Sequence, residues 1–211
     1  QTMGLRALGY LIAAWIDLSE HSEDDHQRQQ LRERIALLTP VFKAFSTEQG
    51  NQMSYTCIQV FGGMGFVEET GVAQYYRDSR IAPIYEGTNG IQALDLAGRK
   101  LMADGGAHWR AFIDEMKTAL PGLTSLTEAS RAALEAGISA LEEAAEHLFA
   151  NGFDNIVDTA AAATPYLRLM ALTVIGYLWS RMANVANEQL AAGEGNKPLL
   201  ESKVVSARFY F

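Results

Sequence analysis

Along nearly the whole chain the apolar side chains return at steps of three and four residues, and no stretch alternates apolar with polar between turn residues. A period near 3.6 buries one stripe of a helix, so the expected fold class is all-α. Leu5, Leu8, Ile12, Trp15 and Ile16 share one face of a first helix, closed by Ser22-Glu-Asp-Asp25. Leu31, Ile35, Leu38, Phe42 and Phe45 mark a second, whose continuation carries Met53, Cys57, Val60 and Phe61 on the same apolar stripe. Pro40 should kink or break it, because proline lacks the N–H and crowds the preceding turn. Gly62-Gly-Met-Gly65 should end it, since clustered glycines favour left-handed backbone over helix.

A short third helix is expected from about Glu69 to Arg80, ending near Pro83, and a fourth from about Thr88 to Met102. Ala82-Pro-Ile-Tyr-Glu-Gly87 connects them. Asp104-Gly-Gly106 reads as a hinge, after which alanine becomes abundant. Leu126, Ala133, Leu134, Ile138, Leu141, Ala145 and Leu148 then pattern one long helix, broken at Asn151-Gly-Phe-Asp154. A last long helix runs from about Ile156 to Leu190 with a kink at Pro165, and Gly193 to Pro198 sets off a terminal one. The expected architecture is an up-down helical bundle over residues 1–103 followed by a second helical bundle over residues 104–211. Both ends lie in running helical pattern without start or stop signals, which suggests a piece of a longer polypeptide.

Composition narrows the function. With 17 basic against 25 acidic side chains the formal net charge is −8. Phosphate backbones and anionic lipid both need a cationic face, so a nucleic-acid partner is not expected. The longest uncharged apolar run, Leu169 to Trp179, is short of the roughly 20 residues that span a bilayer, so no membrane span is expected. Cys57 is the one cysteine, which forbids an intrachain disulfide and fits a reducing, cytoplasmic setting.

Familiar chemical motifs are few. Gly63-Met-Gly65 follows a helix and has Glu68 where a dinucleotide fingerprint needs its third glycine. His21, His26, His108 and His147 never fall three or four apart, so no helical metal site is expected. Cys57, on an apolar stripe, reads as a small buried residue. The unusual window is Gln59 to Arg99, where glycines, aromatics and charges gather between helices. There Glu86, between Tyr85 and Gly87, has two readings: a carboxylate favoured by the following helix dipole, or a general base raised by desolvation against Ile84 and Tyr85. Arg77, Asp78 and Arg80 suit a surface ion-pair cluster, with Asp78 and Arg77 able to brace the turn. Tyr75 and Tyr76 suit packing, Gln59 a solvated helix position, and Thr88 a helix cap.

Three blocks together carry more. Gln59-Val-Phe-Gly-Gly-Met-Gly-Phe66, Tyr76-Arg-Asp-Ser-Arg-Ile81 and Ile84-Tyr-Glu-Gly-Thr-Asn-Gly-Ile-Gln92 closely resemble, in order and spacing, the C-terminal α-helical domain of the acyl-CoA dehydrogenases. The resemblance covers roughly Thr2 to Lys100. Asp95-Leu-Ala-Gly-Arg-Lys100 and the alanine-rich helices beyond it resemble the long-form branch with an added C-terminal helical domain, which includes bacterial fatty acyl-CoA and methylmercaptopropionyl-CoA dehydrogenases.

The resemblance implies an FAD-dependent flavoprotein of fatty-acid β-oxidation. It oxidises an acyl-CoA to the trans-2-enoyl-CoA and passes electrons to an electron-transfer flavoprotein. It implies that Glu86 removes the α-proton while its backbone N–H holds the thioester carbonyl, and that Tyr85 and Gly87 line the thioester pocket. Thr88 and Asn89 match positions on the flavin phosphates or ribityl chain. Gln59, Val60, Phe61, Gly62 and Gly63 match the stretch that receives the adenosine-diphosphate portion of the neighbouring subunit's FAD, which implies at least a homodimer. The family's N-terminal helical and middle β-domains are not in this chain, so the piece alone is expected to be inactive. The rival reading is a non-catalytic helical dimerisation or binding module derived from the family. The intact Glu86 and glycines favour the enzyme.

Overall fold

The computed structural model describes residues 2–85, 88–151 and 155–211. Helix dominates and no strand occurs among the described residues, so the all-α expectation holds.

Helix α1 (Thr2–His21) buries Leu5, Leu8, Ile12, Trp15 and Ser19, a regular three-and-four stripe. Ile16, expected on that face, falls beside it and is 41% exposed. Asp24 caps α2 (Asp25–Phe61) by accepting at Oδ1 from the N–H groups of His26 (2.9 Å) and Gln27 (3.3 Å). α2 runs as one 37-residue helix through a buried Pro40, so no break occurs there. α1 and α2 form an antiparallel hairpin, joined near its open end by Thr2 Oγ1 on Met53 Sδ at 3.3 Å.

Beyond Phe45, α2 has no fully buried side chain. Cys57, Val60 and Phe61, expected on an apolar stripe, are exposed, because the hydrophobic core meets α2 only as far as Phe45. Gly62 ends α2 with φ +61°, as its composition suggested. The short α3 (Gly63–Phe66) then folds back so closely that a side chain on Gly65 would meet the Ile58 carbonyl oxygen at 2.5 Å. A 3₁₀ turn (Glu68–Thr70) leads into α4 (Val72–Ser79), shorter than expected, which lies against α2 with the Tyr55 and Tyr76 rings 6.2 Å apart.

Helix α5 (Asn89–Asp95) passes directly into a π-helical turn (Leu96–Lys100), closed by the Leu101 N–H on Leu96 O at 2.8 Å. Leu96, Ala97 and Leu101 are fully buried there. The stretch expected as a hinge is a packed turn: Asp104, Gly105 and Gly106 all have positive φ, and a side chain on Gly106 would strike the Phe149 ring. It aims α6 (Ala107–Ala119) into the core, where Trp109 stands edge-on to Phe149 and Phe112 edge-on to Trp15. None of the expected helices covers α6, although Trp109, Phe112, Ile113 and Met116 have helical spacing.

Helix α7 (Glu128–Asn151) buries the expected Leu134, Ile138, Leu141, Ala145 and Leu148. The expected break after Asn151 falls on residues 152–154, outside the described residues. Helix α8 (Ile156–Ala192) is continuous through Pro165 and is the centre of the molecule. It packs on α1, α2, α5, the π-turn and α7, and carries the 14-residue α9 (Lys197–Tyr210) along another side. Among the described residues only α8 is long and apolar enough to cross a bilayer, more than the short run Leu169–Trp179 indicated. Its apolar side chains are spent on packing instead, with Met170, Ala171 and Val174 fully buried. One continuous apolar core runs from Leu5 to Ala207.

Candidate functional site

Two groups of expected site residues lie along a single helix. The first sits where the segment after α4 returns to α2. Pro83 is buried, and the Tyr85 N–H donates to Ile81 O at 3.1 Å, which curls the chain into a tight turn. The Asn89 N–H donates to Pro83 O at 3.1 Å and closes the connection onto itself. Tyr85 is 54% exposed at the surface of this turn. Glu86 and Gly87, the expected base and its neighbour in the thioester pocket, lie outside the described residues.

Thr88 occupies the cap position of α5, and its carbonyl accepts from the Ile91 and Gln92 N–H groups. Its side chain makes no cap hydrogen bond, contrary to expectation, and among the described residues its exposed hydroxyl has no partner. Asn89 is committed to α2. Its Oδ1 lies 3.1 Å from Thr47 Oγ1, while Nδ2 donates to Ala44 O (3.1 Å) and Glu48 Oε2 (3.3 Å). Thr47, Glu48 and Asn51 were not anticipated. The signal was the lapse of the apolar stripe at Ser46-Thr-Glu-Gln-Gly-Asn-Gln52, which places polar side chains four apart on one face. A cleft of about 290 Å³, bounded by Glu48, Asn51, Tyr55, Tyr76 and Arg80, opens beside this turn.

The second group is the end of α2. Gln59, Val60 and Phe61 are exposed, Val60 by 79%, and a side chain on Gly62 or Gly63 would meet nothing within 4 Å. Gln59 lies twelve residues beyond Thr47, or about 18 Å of helix rise. The two groups are therefore separate surfaces on one rigid support. No itself-contained dinucleotide pocket joins them among the described residues; the second group is an open tip suited to contact from outside the chain.

Around this tip, Arg77 makes two parallel hydrogen bonds to Glu68, at 2.9 and 2.8 Å, rather than bracing the turn through Asp78. Those bonds and the carboxylate charge push the guanidinium further above its usual range. The pair ties the 3₁₀ turn after α3 to α4, and so fixes how the chain leaves the glycine tip. The larger clefts of the molecule, of about 510 and 850 Å³, lie between α1, α8 and α9 or beside α7, and hold none of the expected site residues.

With this geometry in hand, the relatives of the chain are informative. The family model for the acyl-CoA dehydrogenase C-terminal domain matches residues 5–101, and the one described as acetyl-CoA dehydrogenase C-terminal like matches residues 106–211. A 3-methylmercaptopropionyl-CoA dehydrogenase of Ruegeria pomeroyi is 38% identical over 223 residues, covering 99% of this chain and 36% of that protein. A broad-specificity linear acyl-CoA dehydrogenase of Mycobacterium tuberculosis is 30% identical, covering 98% of this chain and again 36% of the relative. The crystal structure of Caenorhabditis elegans ACDH-11 in complex with C11-CoA superimposes with a TM-score of 0.78 at 23% identity, over 98% of this chain and 33% of that one. The chain thus spans about a third of the length of the relatives it matches. Its helices, its site-bearing blocks and both matched regions lead to one conclusion: the chain belongs to the acyl-CoA dehydrogenase family.

Proposed function

We propose that this chain supplies the base-bearing helical portion of an FAD-dependent acyl-CoA dehydrogenase that converts an acyl-CoA to its trans-2-enoyl-CoA. The observation that carries this reading is the arrangement on α2: a turn leading to Tyr85-Glu-Gly-Thr88 bound to its middle, and a bare glycine tip at its end. Bound FAD supplies the acceptor for the hydride. In the reaction the Glu86 carboxylate takes the α-proton as the β-hydrogen departs with its electron pair, so two C–H bonds break and one C=C bond forms. An α-proton beside a thioester is a weak acid, so the carboxylate must be shielded from water to be strong enough as a base. Tyr85 gives the turn an aromatic surface for that purpose.

The fit of this chain's residues to FAD is mixed in an instructive way. Thr88 offers a hydroxyl without a partner among the described residues, whereas the Asn89 side chain is already bonded to α2 and has only its backbone to offer. The exposed Gln59-Val-Phe-Gly-Gly63 tip, open on all sides, suits the dinucleotide portion of an FAD held by a second subunit. Exposed Val60, Phe66 and Tyr75 around it give that subunit apolar surface, which supports a homodimer. The reduced flavin must pass its electrons on, and the family resemblance points to an electron-transfer flavoprotein as the acceptor. In the complete protein Glu86→Gln should keep its FAD yet fail to bleach the flavin absorbance when acyl-CoA is added. Bleaching at the normal rate in that variant would remove Glu86 as the base.

A further inference from the structure

We propose that Asn51 is a positioning residue for proton abstraction: with Asn89 it anchors the two feet of the segment that carries Glu86 onto one face of α2. The proposal rests on the reading of Glu86 as the base. At the first foot, Asn51 Nδ2 donates to Ser79 O at the end of α4, at 3.1 Å, and to Thr47 O within its own helix, at 2.9 Å. At the second foot, Asn89 Nδ2 donates to Ala44 O and Glu48 Oε2, with Thr47 Oγ1 beside Oδ1. Ala44, Thr47, Glu48 and Asn51 are three and four residues apart, so both feet stand on the same face and within two turns of α2.

That face is a firm base. Ala44 and Phe45 are buried in the core directly beneath it. Between the feet the chain is drawn together by Asn89 N–H on Pro83 O and by Tyr85 N–H on Ile81 O. Both carbonyls that Asn51 meets are acceptors, so its NH₂ group must face them and its Oδ1 is turned away. That oxygen is buried and has no donor among the described residues. Leaving a buried acceptor unpaired is unfavourable, and an alanine here would avoid it. The amide therefore serves the one bond that leaves α2, the bond to Ser79 O. Small errors in the placement of a base cost rate far more than binding.

The experiment uses the complete flavoprotein and compares the parent with Asn51→Ala. We expect the rate of flavin bleaching by acyl-CoA to fall at least about tenfold, with FAD content and acyl-CoA affinity within twofold of the parent. The pH midpoint of the bleaching rate should move down, because a looser turn admits water to the carboxylate. A bleaching rate within twofold of the parent, or a rate loss matched by loss of FAD or substrate affinity, overturns the proposal. Should Asn51→Ala not fold, Asn51→Leu fills the same space with neither a donor nor a charge and is judged by the same criteria. Glu86→Gln run in parallel separates the two readings, since normal bleaching there removes the base itself whatever Asn51→Ala does.

Discussion

At Gly4 the first helix touches α8 so closely that a methyl group would lie 2.6 Å from Ile175 Cγ2 and 2.9 Å from Trp179 Nε1. Neither neighbour is free to retreat, as Ile175 and Trp179 are 2% and 3% exposed in the core. Gly4→Val should therefore destabilise the fold by about 1–3 kcal/mol through overpacking, read as a lower urea midpoint at unchanged slope. An unchanged midpoint would show that α1 can shift at no cost. Glycine is needed here for space, a demand that depends on a partner 171 residues away and that no local pattern announces. The same limit applies to Asn51, whose importance comes from Ser79 O, and to Asn89, whose side chain turns out to serve α2. Tyr85, Glu86 and Gly87 can be proposed from the sequence for the opposite reason, because they form one contiguous block that resembles the family's.

Helix α9 makes its own case at the next scale. It docks along α8 through Tyr210 and Phe211, whose rings would contact a side chain placed on Gly176, and Tyr210 O–H donates to Leu172 O at 2.8 Å. Burial pushes the Tyr210 hydroxyl up to about 12 from an ordinary 10.0. The folded state therefore holds this proton after the unfolded chain has released it. The resulting stability is complete below pH 10, falls as pH rises from 10 toward 12, and is reduced in Tyr210→Phe. Denaturation midpoints at pH 9 and 11 should thus differ less in Tyr210→Phe than in the parent, and an equal difference would rule the group out. Elements were the best-read level of the sequence: α1, α2, α7, α8 and α9 follow their apolar stripes. Helix α6 is hard to see in the sequence because its stripe is short and it enters from an unusual triple left-handed turn. The half of α2 beyond Phe45 carries an apolar stripe it does not bury, since periodicity shows a face but not what covers it.

For the molecule as a whole, the two matched regions, residues 5–101 and 106–211, share one core. Leu5, Leu8, Leu37, Leu38, Leu96 and Leu101, all from the first region, are buried together with α8 from the second. Cutting the chain after Asp104 would bare that face. A polypeptide of residues 1–104 should accordingly lose cooperative unfolding, seen as a broad transition without near-ultraviolet circular dichroism. A sharp transition would show that the first region keeps a core of its own. The second region thus forms part of the scaffold on which α2 rests, through α6 and α8. Because α8 of the second region packs against α1, α2 and α5 of the first, chimeras that join one relative's first half to another's second half must match three foreign helix faces simultaneously. Recombination within this family should succeed at breakpoints outside the pair of regions, and exchange of the second region alone should be rare among viable hybrids.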